Sequence, residues 1–398
     1  AVNLREAKVK HVRIRHIRDS QYYYLFDEFD DEFHNNVIPS EAFKEKKSLL
    51  YFVFPEEVEY IDIDAFYSSN LSGAVVLPDN VRTVEARAFQ ETNITSITMS
   101  PVLERVGNGA FSGSSDKPST LSCELYFPET LKYIGIGAFD GQFTGHLSLP
   151  ESLEFLGTIN GYFSGDLRIP DKITSLKNSR FGKFTGTLDL NNVTELGVYT
   201  FYYCDFRGEL IIPEGVVEIP RECFYGNYFS SIHFPKTLKS VDNSAFYGVH
   251  AIGDLVFPEG LIAIGENAFN DMGMISSIIF PSTLQVIGPG AFGRCGSISE
   301  IICNSKEPPI VNSGAFDGVA KDNFTVQVPE ESVILYQTDP RWSEFKRISG
   351  HKDFSISRNL LRATNPEYKK TLILRIPEGQ SWSVESKPDW VDVSPASG

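Results

Sequence analysis

The side chains able to do chemistry are spread thinly along this chain. Its seven histidines lie at 11, 16, 34, 146, 233, 250 and 351, and none forms a His-x-x-x-His or His-Glu pair of the kind that presents two metal ligands from one helix face. Gly-x-Ser-x-Gly, which exposes a serine nucleophile on a sharp turn, does not occur, and neither does a phosphate-cradling loop. Gly135-Ile136-Gly137 belongs to a repeated turn and carries no weight as a nucleotide signal. Of the many carboxylates, Glu56, Asp79, Glu129, Glu151, Asp171, Glu214 and Glu259 each follow a proline in the same repeated place, the position of a solvated turn residue. Cys223 and Cys303 occupy positions of small buried apolar residues. Cys204 and Cys223 lie one turn apart, near enough in sequence that a disulfide between them stays open. No catalytic residue, metal ligand or cofactor site emerges, so the expectation is a non-enzymatic protein without a cofactor.

Positions rather than motifs supply the binding candidates. Short apolar-x-apolar runs alternate with period two, so the residue between the inward pair points outward, as does the one before it. In the middle of the chain these outward positions are Glu124 and Tyr126, His146 and Ser148, Asp166 and Arg168, Thr187 and Asp189, Glu209 and Ile211, and Ser231 and His233. Nearer the ends the central residue is Val53, Val76, Val256, Ile279 or Ile302. A polar and partly aromatic centre between apolar flanks suits recognition of a protein or a glycan, and Tyr126, His146, Asp166, Arg168, Asp189 and His233 are its candidate contacts. A second candidate is the aromatic group Tyr199, Tyr202, Tyr203, Phe206, Tyr225, Tyr228 and Phe229, because such rings stack on sugars and anchor interfaces. Tyr202, Tyr203, Tyr225 and Tyr228 are taken from it as ligand contacts. A solvated sheet face and a staple between adjacent repeats are the plainer alternatives for the two groups.

These positions are set by a repeat. Ala-Phe recurs with phenylalanine at 43, 66, 89, 111, 139, 246, 269, 292 and 316, and Phe163, Phe181, Phe201 and Phe224 hold the same place with the alanine replaced. Pro55, Pro78, Pro128, Pro150, Pro170, Pro213, Pro235, Pro258 and Pro281 run in phase, each after an apolar-x-apolar run. One unit of about 23 residues reads apolar-x-apolar-Pro-x-x-Leu-x-x-Ile-Gly-x-x-Ala-Phe. Proline cannot donate to a ladder and ends the strand; glycines such as Gly265 and Gly288 admit the following turn. One unit cannot bury its apolar face alone, but stacked units share a continuous core. The fold class is therefore a repeat solenoid of short parallel strands and turns with little helix. Three irregularities are expected: Ser100 in the proline place with Pro101 after it, Asn191 in the proline place, and an insertion from Ser112 to Ser122. The units around Phe163 and Phe181 are short, so the central turns should be the least regular.

The unit resembles the BspA-type leucine-rich repeats of bacterial surface proteins. The links Leu71-Ser72-Gly73, Phe143-Thr144-Gly145, Phe163-Ser164-Gly165, Phe184-Thr185-Gly186 and Phe206-Arg207-Gly208 agree with that pattern. Ile301-Ile302-Cys303, Pro308-Pro309, Gly314-Ala315-Phe316, Val326-Gln327-Val328-Pro329, Tyr336, Trp342 and Phe345 look like that family's closing repeat and cap. The resemblance implies a right-handed leucine-rich-repeat superhelix, an extracellular or bacterial cell-surface location, and adhesion to host protein or glycan. Residues 38–349 are assigned to the solenoid and its cap. Residues 1–37, with a basic-apolar run from Val9 to Ile17 and an acidic-aromatic run from Tyr22 to Phe33, are assigned to an N-terminal cap. Residues 350–398 are expected to form short alternating strands, and the spacing from Trp382 to Trp390 with Ser394-Pro395-Ala396-Ser397-Gly398 resembles the first part of a BACON domain, a small β-sandwich of glycan-processing systems.

Composition narrows the partners. The 398 residues include 36 Lys and Arg against 52 Asp and Glu, a net charge of −16 that repels phosphate backbones and argues against nucleic acid. No run approaches the ~20 apolar residues of a membrane span. The first residues lack an apolar signal core, so a signal is expected to have been removed or never present. Five cysteines are too few for a disulfide scaffold. The expectation is a monomeric surface or secreted binding protein; the alternatives are a structural spacer that displays other modules and, more remotely, a glycan-active enzyme with two facing acids.

Overall fold

The structure, a computed structural model, describes residues 36–322 and 325–351, together with the backbone of the strands Val2–Asn3, Val12–Arg15 and Asp31–His34. The segment likened to a BACON domain lies outside the described residues.

Each repeat forms one turn of a parallel β-solenoid with about 14 turns. The apolar-x-apolar runs build its ladder face. Gly253–Val256, Ile275–Phe280, Glu300–Cys303, Thr325–Pro329 and Ile348–His351 pair in parallel there, as do Ser72–Val76 with Asn93–Thr98 and Arg207–Ile211 with Tyr228–His233. Alternation places Leu255 and Phe257 in the core and Val256 outside. The glycine of each link re-aims the strand: Gly208 has φ +74°, closed to most side chains, and the ladder register shifts immediately after it.

After the strand, the proline carbonyl accepts the N–H of the residue three further on, as in Val81 to Pro78 at 3.1 Å and Leu131 to Pro128 at 3.0 Å. This is the tight turn that returns a leucine or valine inward. Ser100 does the same work for Leu103 at 3.2 Å, in the place expected of it. Asn191 does not. There the carbonyl of Leu190 accepts the Val193 N–H at 3.0 Å, because the turn is one residue shorter, and Asn191 becomes its first central residue at φ +47°. The Leu-x-x-Ile segment then makes a second ladder of two-residue strands, from Val37–Ile38 to Phe155–Leu156 and from Glu218–Ile219 to Ile310–Val311.

The phenylalanines form a spine at the pitch of the turns. Rings 66 and 89 stack at 5.0 Å and rings 246 and 269 at 5.2 Å, each pair within 10° of parallel. Phe163 is not part of it. Ile159 pairs with Phe139 on one side and Phe181 on the other, so an aliphatic side chain fills that spine position. Phe163 belongs to a second column, 5.1 Å from Phe184, which stacks on Phe206 at 4.8 Å. The difference arises because the chain from the spine to the second column shortens here. The regular turns cross with a loop containing left-handed residues such as Ser68 and Tyr203. In the central units Phe139–Phe143, Thr158–Phe163 and Arg180–Phe184 cross as extended strands and form a three-stranded parallel sheet. A flat crossing leaves no room above the neighbouring backbone, hence Gly161 and Gly182: a Cβ on Gly182 would lie 2.2 Å from the Gly161 nitrogen.

Two side-chain devices hold the stack. Asn227, fully buried, donates to the carbonyls of Phe201 at 2.7 Å and Phe224 at 2.9 Å and accepts the Phe206 N–H at 3.1 Å. From the Ser112–Ser122 insertion, the Lys117 ammonium donates to the Ser69 carbonyl at 3.3 Å and to the Glu91 carbonyl, so the loop spans two preceding turns. At the far end Tyr336 and Trp342 are fully buried and Phe345 nearly so; Trp342 Nε1 donates to Pro309 O at 2.9 Å and the Tyr336 hydroxyl to Ser305 O at 2.8 Å. The helix Val333–Thr338 carries Tyr336. Among the described residues no helix is long and apolar enough to cross a membrane.

Candidate functional site

The outward positions of the ladder face sit where the period placed them. Tyr126, at 73% exposure, is the most open aromatic side chain among the described residues, and its hydroxyl donates to Glu124. That bond, with the carboxylate charge, raises the phenol's pKa. On the next turn His146 Nδ1 lies 3.2 Å from the Ser164 carbonyl; a carbonyl only accepts, so this nitrogen carries the proton. Asp166 accepts the Thr187 N–H at 2.6 Å and the Thr187 hydroxyl at 2.8 Å, and these two bonds hold its carboxyl below the usual range.

Arg168 is the hub of the face. Its guanidinium contacts Glu151, Asp171 at 2.5 Å and, at 3.7 Å, Asp189, which lies opposite it in the ladder. The hydrogen bond from Asn191, then that from Arg168, lowers the pKa of Asp171. Glu151 and Asp171 are solvated turn residues, as their place after the proline implies; their part in fixing Arg168 comes from the proline corner folding back beside the strand, a geometry that a linear period does not encode. Further along, Glu209 lies opposite Ser231 and Ile211 opposite His233. His233 Nε2 is 3.7 Å from Glu209 and 3.4 Å from the Ser231 hydroxyl. Tyr126, His146, Asp166, Arg168, Asp189 and His233 therefore share one surface, strung along successive turns rather than gathered at a point.

The tyrosines lie elsewhere. Tyr202, Tyr203 and Tyr225 sit on the crossing loops beside the spine, with ring centres 4.8 to 5.1 Å apart. Tyr247, which the sequence did not single out, extends the row by stacking on Tyr225 at 4.7 Å. Burial, then the bond with Tyr203, pushes the Tyr225 hydroxyl's pKa up, and burial does the same to Tyr202. Only Tyr225 and Tyr247 lie face to face; Tyr202 meets Tyr203 edge-on, and both are tilted against Tyr225, so the rings brace one another in a cluster. Tyr228 is in a different stack, on His250 at 4.7 Å with Arg207 5.5 Å from its ring. Phe206 and Phe229 are buried and act as the staple between repeats.

No disulfide joins Cys204 and Cys223. Both are free and buried; Cys204 donates to the Phe181 carbonyl at 3.3 Å, and burial pushes both thiols' pKa values up. Among the described residues no group of three or more His, Cys, Asp or Glu side chains is placed to hold a metal. An open groove of about 1060 Å³ runs along the proline corner near the C-terminal turns, where Lys239, Glu259, Lys306 and Glu307 mix their charges around Pro308 and Pro309.

Comparison with known proteins follows the same repeats. A model of the BspA type leucine rich repeat region matches residues 36–166, 162–228 and 194–323, in six copies. No curated protein is found to match. Among solved structures the chain is similar to a leucine-rich repeat protein from Bacteroides ovatus, with 20% identity over 82% of this chain and 90% of that one and a TM-score of 0.45. It is also similar to a leucine rich cell surface protein from Faecalibacterium prausnitzii, with 19% identity over 70% and 85% of the two chains and a TM-score of 0.39. A third is the pneumococcal vaccine antigen PcpA, with 18% identity over 76% and 79% and a TM-score of 0.42.

Proposed function

The chain belongs to the BspA-type leucine-rich-repeat family, and from that premise we propose that it is an extracellular or surface-displayed binding protein that works without catalysis. Its ladder face recognises a host protein or glycan. The observation that supports this most is the exposed ladder itself: Tyr126, His146, Asp166, Arg168 and Asp189 lie on consecutive turns, with His233 past the turn of Glu209, and they are held by contacts at their own surface, so the face is ordered before a partner arrives. Such ordering reduces the entropy lost on binding. A partner reading this face meets six carboxylates, Glu124, Glu151, Asp166, Asp171, Asp189 and Glu209, around one guanidinium, and is therefore expected to bring positive charge.

The test is binding of the full chain to immobilised matrix proteins, mucin and a glycan array, repeated with Tyr126→Ala/Arg168→Ala/His233→Ala. We expect at least one probe to be retained by the native chain and lost, by about tenfold or more, in the triple variant. Silence on every probe overturns the proposal and is the result a spacer would give. Equal binding by the triple variant moves recognition off the ladder.

A further inference from the structure

The same central turns carry charge of the opposite sign beside the ladder face, where the crossing segments run into its strands. Arg180 and Lys183 project from the strand Arg180–Phe184 of the three-stranded sheet, and Tyr162 lies opposite Lys183 on the neighbouring strand. One turn on, Arg207 lies opposite Tyr228 with its guanidinium 5.5 Å from that ring; on the turn of Tyr228, Arg221 lies 5.3 Å from Tyr199. Lys183 is within electrostatic reach of both Tyr162 and Tyr228, and Arg180 of Tyr202, so these groups form one strip. Four cations face three carboxylates there: Asp205, which pairs with Lys183 at 2.9 Å, Glu222, and Asp140 at the far edge of the sheet, which accepts from Asn160. Arg180, Arg207 and Arg221 form no ion pair with a described residue. In a chain of net charge −16 this is a local reversal of sign.

We propose that this strip binds an anionic polysaccharide, one bearing sulfate or uronate groups; the proposal rests on the binding-protein reading above and names a ligand class for a second surface. Three features favour that class. The strip's cations are exposed, and Arg180 and Lys183 stand on an open three-stranded sheet that a long chain can lie across. Its cations come from successive turns about 4.8 Å apart, a linear track for a linear polyanion. Guanidinium groups take sulfate and carboxylate in paired hydrogen bonds, while Tyr162, 59% exposed and with no ring partner among the described residues, leaves an apolar face for the C–H side of a sugar.

The experiment measures binding of the full chain to heparin, hyaluronan and neutral dextran between about 50 and 200 mM salt, with oligo-dT and poly-glutamate as competing polyanions. Heparin reports sulfate and hyaluronan uronate. Expected is retention on at least one acidic glycan and not on dextran, weakening as salt rises. Arg180→Gln/Lys183→Gln/Arg207→Gln should bind about tenfold more weakly or less. Lys46→Gln/Lys236→Gln/Lys346→Gln, which removes the same charge from exposed sites elsewhere, should bind as the native chain does. Unchanged melting curves establish that both variants fold. Equal loss in both variants, no loss in the first, or tighter binding of oligo-dT or poly-glutamate overturns the proposal. If acidic glycans fail while a ladder-dependent probe succeeds, only this inference falls; if every probe fails, the binding-protein reading falls with it.

Discussion

The turns from Phe139 to Phe184 and those from Phe201 to Phe316 solve one problem in two ways. Both must carry the chain from the spine to the second column above a packed core. The later turns do it with a loop that dips into left-handed conformations, and their spine is an unbroken run of stacked rings. The central turns are shorter and cross as strands, at the cost of a backbone so close to its neighbour that glycine is needed and a spine in which Ile159 stands between two phenylalanines. The repeat therefore keeps an apolar side chain at each spine position and lets the backbone choose between turn and strand. The choice also decides what reaches the surface. Loops gather Tyr202, Tyr203 and Tyr225 into a cluster of mutually tilted rings, whereas strands lay Tyr162, Arg180 and Lys183 side by side.

Substitutions can break this comparison at graded cost. The largest expected effect is in the ring stack: Phe224→Ala should lose about 4 kcal/mol in urea unfolding, and Ile159→Val only about 1. Similar losses at the two sites would mean that the aliphatic position supports the spine as strongly as a ring. Next, Gly182→Val should cost about 3 kcal/mol, because its side chain would enter the Gly161 backbone. Gly248→Asn in a later turn, at φ +66° with nothing within 4 Å of a Cβ, should cost under about 1. Equal costs would refute the steric account of the flat crossing.

Smaller effects sharpen the contrast. Asp166, with its pKa lowered by the Thr187 bonds, stabilises the folded state fully above the free carboxyl's value of about 3.9, and that contribution disappears as pH falls through the lower folded value. Amide protection around residues 165–190, corrected for the intrinsic exchange rate at each pH, should therefore fall between pH 6 and 3, and Asp166→Asn should remove part of that change. The effect will be slight because the site is exposed. Last, a thiol reagent at neutral pH should modify Cys123 in the native chain and leave Cys204, Cys223, Cys295 and Cys303 untouched until urea is added. Early reaction at Cys204 or Cys223 would show that the later turns open more readily than the ring stack implies.

The solenoid and its ladder face were legible because period-two alternation and a recurring proline act within a few residues. The spine at Ile159 was not, since a search for aromatic residues passes over an aliphatic one. The trace was present in the unequal steps of 24 and 18 from Phe139 through Phe163 to Phe181; through Ile159 they become 20 and 22. The three-stranded sheet was hidden by composition, because Phe139-Asp140-Gly141-Gln142-Phe143 lacks the β-branched residues that mark strands. The ladder candidates could be named one by one. The division of the tyrosines into two stacks could not, because ring contacts depend on the register between turns. Arg180, Lys183 and Arg207 carried no signal until folding set them on one side.

Lys117 has a consequence for how the stack comes apart. A solenoid coupled only between nearest neighbours can fray one coil at a time. An ammonium tied to carbonyls of two earlier coils joins three coils in one clasp, so this stretch should yield to heat or tension as a block and stop any unzipping that starts at the N-terminal end.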